Sequence, residues 1–274
     1  MDRNNARARG RPRSFHNTAE STYIQSLDRA MEVLKVAAAG NGMSLTEIAE
    51  ASSQSPSTAY RILITLQKHG MVEFDEAGQL WHVGLEAFRI GSTFLGRTRI
   101  VERSRAVMQR IMAETGETAN LAIVDGGEVI FVSQVETHEP IRAFFRPGTR
   151  GPIHASGIGK ALLAYFAPAR IDQTLGERPF DRYTESTIVD RQALIDELRR
   201  IRQRGWAIDN EERTPGMRCI AAPIFNQFGE AIAGISLSGP AVRVTPARDA
   251  QFGRLVAAAA EEVTSSIGGV APAG

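Results

Sequence analysis

Two short helical patterns joined by a tight turn constrain the first third of this chain. In the first pattern Ser44 is followed three residues later by Glu47, the spacing of a capping box at the start of a helix. In the second, Ser55 stands before Pro56, which suits an N-cap and the first helical position, and Gly70 ends the pattern. Only residues 52–54 separate the two patterns, so the sequence predicts a helix-turn-helix.

The segments on either side of this motif complete a small domain. Apolar residues recur at spacings of three and four from Tyr23 to Gly40, which indicates an amphipathic helix. Apolar and polar residues alternate on both sides of residues 76–78, which is the pattern of a β-hairpin. Three helices followed by a hairpin are typical of a winged helix-turn-helix, so we predict a DNA-binding domain at residues 22–84. The alternative is a small helical domain with no role in DNA binding.

The third helix of this domain carries the residues that we expect to contact DNA. Its apolar stripe, which includes Ala59 and Leu63, leaves polar and aromatic side chains on the outer side near the N-terminus. Such side chains at a helix N-terminus can approach phosphates and base edges together. The predicted contact residues are Ser55, Ser57, Thr58, Tyr60 and Arg61.

The first 21 residues are predicted to be a disordered basic arm, because they offer almost nothing to bury. The first 13 residues hold five arginines and one acid, whereas the whole chain has a net charge of only +1. Arg9, Arg11 and Arg13, with glycine and proline between them, have the form of an arm that enters the minor groove of DNA. The alternative is a tail that contacts only phosphates, and in both cases its expected partner is DNA.

The composition suits two globular domains of a cytoplasmic protein. A length of 274 residues favours two domains, and 43% hydrophobic and 23% charged residues are ordinary for a chain with a packed core. No apolar run approaches the roughly 18 residues of a membrane helix, so we expect no membrane partner. The single cysteine, Cys219, excludes an internal disulfide and favours a reducing compartment.

The rest of the chain alternates between helical and strand patterns. A helical connector at residues 85–99 is followed by a second long helix, and a hairpin is predicted around its turn at residues 125–127. The further predicted elements are a strand at 141–149, a helix from Ser156, a charged helix at 190–204, strands at 217–225 and 230–239, and a helix at 246–267. Strands framed by helices predict an α+β domain with an antiparallel sheet at residues 100–270.

Five segments of the sequence, in this order, resemble the isocitrate-lyase-regulator (IclR) family of bacterial transcription factors. They are SLDRAMEVLKVAA (26–38), SLTEIAEASSQSPSTAYRILITLQKHG (44–70), PIHASGIGKALLA (152–164), GWAIDNEE (205–212) and GMRCIAAPIFNQFGEAIAGISLSGP (216–240). The resemblance implies an N-terminal winged helix, a linker helix and a C-terminal effector domain of GAF-like fold. It also implies a homodimer or a dimer of dimers. Trp81 departs from the tyrosine of many members, and we expect this to alter packing rather than function.

Several residues of the C-terminal part have the chemistry of a site for a small anion. Gly157 and Ile158 stand at a helix start, where backbone N–H groups favour a carboxylate. Ser236 and Ser238 alternate along one strand and so share a face. The resemblance implies an effector pocket formed by helix-start amides, an aspartate, a cysteine and two serines, which here are Gly157, Ile158, Asp209, Cys219, Ser236 and Ser238. The alternative is that the serines and Cys219 only fill space.

Enzyme motifs fit the sequence poorly. The segment SGIGK lacks a phosphate-binding loop's first glycine, since His154 stands there, and its final hydroxyl residue, since Ala161 stands there. The five histidines show no metal-ligand spacing, so we predict no catalytic residue, metal or cofactor. The predicted function is a transcriptional regulator that binds double-stranded operator DNA and senses a small 2-oxo acid. Glyoxylate is the preferred effector, with pyruvate or an aromatic acid as alternatives. A GAF-type binding module or an enzyme whose N-terminal helices only dimerise is the alternative of another class.

Overall fold

The computed structural model describes residues 24–96, 99–177 and 179–272. The chain divides into two compact units, and the division falls between Phe94 and Leu95. None of the helices in the described ranges is both long enough and apolar enough to cross a membrane.

The first unit has the predicted order of three helices followed by a hairpin. Its elements are α1 (Gln25–Ala39), α2 (Leu45–Ala51), α3 (Pro56–Lys68), β1 (Val72–Asp75) and β2 (Leu80–Val83), followed by α4 (Leu85–Gly96), which runs across the division. The two predicted N-caps are present. The Oγ atom of Ser44 accepts a hydrogen bond from the N–H of Glu47 at 3.3 Å, and that of Ser55 accepts from the N–H of Thr58 at 3.2 Å. These bonds satisfy donors that a helix start otherwise leaves unpaired.

Trp81 belongs to the core of this unit. Its side chain is 3% exposed and its ring lies 4.8 Å from that of Phe74. Its backbone also pairs with Met43 in the segment before α2, which ties the hairpin to the helices. The core of the unit is formed by Val33, Ala37, Ile48, Leu63, Val72 and Trp81.

The second unit is a six-stranded antiparallel sheet with helices on both faces. Its helices are α5 (Ile100–Thr115), α6 (Gly157–Leu163), α7 (Pro168–Leu175), α8 (Arg191–Arg204) and α9 (Asp249–Ser266), with a 3₁₀ turn at Pro246–Arg248. Its strands are β3 (Thr118–Asp125), β4 (Glu128–Val135), β5 (Arg150–Pro152), β6 (Ala207–Asn210), β7 (Met217–Phe225) and β8 (Ala231–Pro240). The strand order is β5-β4-β3-β8-β7-β6. The predicted α+β class with an antiparallel sheet is confirmed.

The alternation of side chains along the strands separates two layers. Leu121, Ile220 and Ile235 pack with α5 and α9 in one core. Ala122, Ala221 and other residues of the opposite face pack with α6 and α8 in a second core. Polar residues at positions of the second face therefore lie under α6.

One predicted strand is wrong. Residues 141–149 form no strand, and the edge of β4 pairs with Arg150–Pro152 instead. Phe144 and Phe145 are adjacent, so in a strand their side chains would point to opposite faces of the sheet. Phe144 is 52% exposed, whereas Phe145 stacks on Phe131 with ring centroids 4.3 Å apart. Proline at position 147 also lacks the N–H that a strand ladder needs.

Helix α7 and strand β6 were also not predicted, and the predicted closing helix was too long. Helix α7 begins with Pro168 at its first position, and the four-residue strand β6 lies within residues 205–212. The closing helix predicted from residue 246 begins as a 3₁₀ turn and becomes α-helical at Asp249. Short elements such as β6 carry too few residues to show a period.

Candidate functional site

The first two turns of α3 form the candidate DNA-binding surface of the first unit. Ser57, Tyr60 and Arg61 are exposed, as the spacing predicts, and Tyr60 retains 49% of its surface. Ser55 is exposed too, although its hydroxyl takes part in the N-cap.

Thr58 departs from the predicted outward orientation. It is half-buried, and its Oγ1 accepts a hydrogen bond from the Ser55 hydroxyl at 2.9 Å. Thr58 and Arg61 both line a groove between α1 and α3. The position of Thr58 next to the cap, on the side of α3 that faces α1, accounts for this burial. The three arm residues Arg9, Arg11 and Arg13 lie outside the described residues.

Strand pairing brings three of the predicted effector residues together in the second unit. Asp209 on β6 is opposite Cys219 on β7, and Cys219 is opposite Ser238 on β8. Together they line a cavity of about 60 Å³. Ser236 lies two residues further along β8, opposite Ala221, and does not line this cavity.

The start of α6 lies directly on this part of the sheet. A Cβ atom at Gly157 would be 2.9 Å from Cys219 Sγ, so only glycine allows the helix to approach this closely. Ile158 directs its side chain into the core against Gly234, and neither Gly157 nor Ile158 lines the cavity. The N–H groups of Gly157 and Ile158 have no acceptor within the helix, because they belong to its first turn.

A buried charge cluster surrounds Asp209. The N–H of Glu212 donates to Asp209 Oδ1 at 2.8 Å, and the Glu212 carboxylate forms an ion pair with Lys160, which is 1% exposed. Lys160 Nζ also donates to the carbonyl of Ile208 at 2.7 Å. Burial and the nearby charge of Glu212 raise the pKa of Asp209 to about 7, while Lys160 opposes the shift. Asp209 therefore keeps its proton to a higher pH than an ordinary aspartate does.

Cys219 is an unreactive thiol in this setting. Burial, together with the charge of Asp209, raises its pKa to about 11, although hydrogen bonds from Ser238 and Ser236 act in the opposite direction. Because the thiolate is the nucleophilic form, Cys219 does not attack a carbonyl readily at neutral pH. Its position suits contact with a ligand rather than covalent chemistry.

The sequence did not single out several residues of this region. The other side chains around the cavity are those of Phe145, Arg213, Thr214, Met217 and Arg218. Arg218 is paired with Asp249 at 2.9 Å, but among the described residues Arg213 has no carboxylate within 4.0 Å. The loop between β6 and β7 places Arg213 at the cavity, and no periodic pattern marks such a position. Asn120 on β3 did leave a signal, as a single amide within an apolar strand.

A helix-turn-helix unit joined to a unit with a small polar cavity defines a ligand-responsive DNA-binding regulator. Two family models match the chain: the IclR helix-turn-helix domain at residues 26–76 and the bacterial transcriptional regulator IclR C-terminal domain at residues 92–265. The chain belongs to the IclR family of bacterial transcriptional regulators. It is accordingly a regulator and not an enzyme.

Individual relatives agree with this assignment. The chain is 51% identical over 261 residues to the HTH-type transcriptional regulator BhcR of Paracoccus denitrificans, with 94% of each chain covered. The crystal structure of Thermotoga maritima IclR has a TM-score of 0.75 and 30% identity, covering 90% of this chain and 100% of that one. An IclR homologue from Microbacterium hydrocarbonoxydans, solved with 4-hydroxybenzoate, has a TM-score of 0.78 and 24% identity, covering 88% and 98%. The likeness to the Microbacterium homologue concerns the fold alone.

Proposed function

We propose that the second unit senses a small 2-oxo acid and that glyoxylate is the effector. The size and lining of the cavity support this proposal. Pockets for drug-sized ligands measure about 300–1,000 Å³, whereas this cavity of about 60 Å³ accepts only a very small molecule. Its polar lining of Asp209, Arg213 and Ser238 suits a ligand that is polar at both ends. An aromatic acid such as the 4-hydroxybenzoate of the Microbacterium homologue needs more room.

Arg213 and Ser238 are suited to hold the carboxylate of the effector. A guanidinium binds a carboxylate through two parallel hydrogen bonds, and Arg213 has no acidic partner among the residues described. The hydroxyl of Ser238 adds a neutral donor, and the backbone N–H groups of Gly157 and Ile158, which do not line the cavity, favour the negative charge from a greater distance. In this arrangement Ser236 contributes indirectly, since it does not line the cavity.

Asp209 is suited to the opposite, carbonyl end of the effector. Two carboxylates in contact repel each other, so Asp209 does not face the carboxylate of the ligand. In its protonated form, Asp209 donates to the carbonyl oxygen of an oxo acid. In its ionised form, it accepts from the hydroxyls of a hydrated aldehyde. Glyoxylate can pair with either form of Asp209, because its aldehyde hydrates readily and so offers a carbonyl or two hydroxyls. Pyruvate is the second candidate.

We further propose that the surface of α3 binds operator DNA through Ser55, Ser57, Thr58, Tyr60 and Arg61, assisted by the arm residues Arg9, Arg11 and Arg13. Ser57, Tyr60 and Arg61 are exposed on one part of the helix, which supports direct contact with base edges. The regulator is proposed to act as a homodimer or a dimer of dimers. Apolar side chains of α1 and α4 that are exposed in the single chain support self-association, among them Leu27, Met31, Leu85 and Phe88.

Titration calorimetry with the full-length protein tests the effector. Glyoxylate is expected to bind, to raise the melting temperature and to change the affinity for the DNA upstream of the protein's own gene in a gel-shift assay. Asp209→Ala is expected to remove the response to glyoxylate, and Ser238→Ala is expected to weaken glyoxylate binding, while DNA binding persists in both variants. Binding of an aromatic acid, with no heat from millimolar glyoxylate, would show that the effector is of another class.

A further inference from the structure

An amide network crosses the sheet behind the effector cavity. Asn120 lies on β3, opposite Gln134 of β4 and Ser236 of β8, and its side chain is fully buried. Its Nδ2 donates to Ser238 Oγ at 3.1 Å and to Ser236 Oγ at 3.4 Å. Its Oδ1 accepts a hydrogen bond from Gln134 Nε2 at 2.8 Å. The Asn120 side chain thus links the two serines to the neighbouring strand.

The direction of these bonds decides what Ser238 offers to the cavity. A hydroxyl has one hydrogen, and when an amide donates to its oxygen that hydrogen points elsewhere. Both hydrogens of the Asn120 amide are used on the serines, so the hydroxyls of Ser236 and Ser238 are turned away from Asn120. Ser238 lines the cavity, and its hydrogen, which otherwise faces the weak acceptor Cys219 Sγ, is available to a stronger acceptor brought by a ligand. An anionic oxygen is the strongest acceptor that a ligand can bring.

Gln134 fixes the orientation of the Asn120 amide. Rotation of that amide by half a turn would place two NH₂ groups against each other and two hydroxyls against a carbonyl oxygen. The serines would then donate to Asn120 and would offer only lone pairs to a ligand. The bond from Gln134 to Asn120 Oδ1 opposes this rotation.

We propose that Asn120 is a specificity-determining positioning residue, which holds Ser238 as a hydrogen-bond donor and so selects an anionic carboxylate over a neutral amide. This inference rests on the proposed function of the cavity as a small-acid site. Asn120 does not line the cavity and acts through Ser238, with Gln134 as its support.

The test compares glyoxylate with glyoxylamide, a neutral ligand of nearly the same shape, by calorimetry on the full-length protein. The wild type is expected to prefer glyoxylate. Asn120→Ala is expected to lower the ratio of the two affinities about tenfold, the equivalent of one charge-assisted hydrogen bond. Gln134→Ala, at a half-buried position, is expected to lower the ratio less and in the same direction.

Two controls separate this role from a general loosening of the sheet. Leu121→Ala changes the next residue of β3, whose side chain packs in the opposite layer, and is expected to lower stability without changing the ratio. In a Ser238→Ala background, Asn120→Ala is expected to have no further effect on the ratio, because the residue through which it acts is gone.

The outcomes distinguish this inference from the proposed function. A wild type that binds neither glyoxylate nor glyoxylamide overturns both. A wild type that prefers glyoxylate, combined with an unchanged ratio in Asn120→Ala and Gln134→Ala, overturns only the role of Asn120. An equal fall of the ratio in Leu121→Ala also overturns it. Where Asn120→Ala does not fold, the Gln134→Ala result decides.

Discussion

The Cα atom of Gly157 lies so close to Cys219 that a Cβ there would be 2.9 Å from the sulfur. Gly157→Ala therefore forces α6 or Cys219 to move. We expect it to lower the free energy of unfolding by about 1–3 kcal/mol, the usual range for overpacking, and to weaken glyoxylate binding. Urea unfolding and calorimetry measure the two effects. The double variant Gly157→Ala/Cys219→Ala removes the sulfur and is expected to recover most of the stability. A double variant as unstable as the single one would contradict this explanation.

The raised pKa of Asp209 predicts a pH-dependent stability. Its pKa is about 7 in the folded protein, whereas an unperturbed aspartate has a pKa of 3.8, so the folded form binds the proton more tightly. Between about pH 4 and pH 7 the unfolded chain has released this proton and the folded protein has not. The contribution of Asp209 to stability therefore falls with rising pH across this window and is constant above it.

Asp209→Asn removes this dependence while Oδ1 remains an acceptor for the N–H of Glu212. The stability of the variant relative to the wild type is expected to increase between pH 5 and pH 7, by up to about 1.4 kcal/mol per pH unit. Chemical unfolding at pH 5, 6, 7 and 8 measures the difference. Parallel pH profiles for the two proteins would show that Asp209 titrates normally.

Arg213 is expected to anchor the carboxylate of the effector. Arg213→Ala should weaken glyoxylate binding by about 1.5–3 kcal/mol, the range of hydrogen bonds to charged groups, and Arg213→Lys should retain part of the affinity. Calorimetry measures both. Arg182→Ala is the matched control, because Arg182 is exposed and its guanidinium contacts the backbone of residues 184 and 185. Equal effects at the two arginines would indicate a general charge effect rather than an anchor.

Arg61 is expected to read the operator, since it is exposed at the start of α3. Arg61→Ala should cost about 1–3 kcal/mol in operator binding if the side chain contacts a base, and Thr58→Ala should cost less because Thr58 is half-buried. Arg199→Ala, on the exposed part of α8, serves as a control for loss of positive charge. Unchanged operator affinity in Arg61→Ala, with the fold intact, would contradict the assignment of α3 as the helix that contacts DNA.

Deletion of residues 1–13 tests the basic arm, because it removes five arginines. The slope of log K against log salt concentration should become shallower by up to about 0.9 for each lost phosphate contact. Fluorescence anisotropy with operator DNA at several salt concentrations measures this slope. An unaltered slope means that the arm does not touch DNA. A loss of affinity that is confined to operators with A·T-rich flanks supports insertion of the arm into the minor groove.

The sequence by itself determined the elements that depend on neighbouring residues. The caps at Ser44 and Ser55, the helix start near Ser156 and the stop at Gly70 are local, because each involves hydrogen bonds or backbone angles within a few residues. The pairing of β7 with β8 was also readable, since two long apolar strands joined by a short turn have few alternatives. These features were sufficient to indicate a helix-turn-helix followed by an α+β domain.

Only the tertiary structure decided how distant residues meet. The register of β6 against β7 places Asp209 beside Cys219. The register of β8 against β3 places Asn120 beside Ser236 and Ser238. Phe145 lines the cavity from a segment that forms no strand, contrary to the prediction. The half-burial of Thr58 likewise depends on its contact with Ser55 and on the packing of α3 against α1. Contacts of this kind join residues separated by many positions, and their geometry follows from how whole strands and helices pack, which no local pattern of residue types encodes.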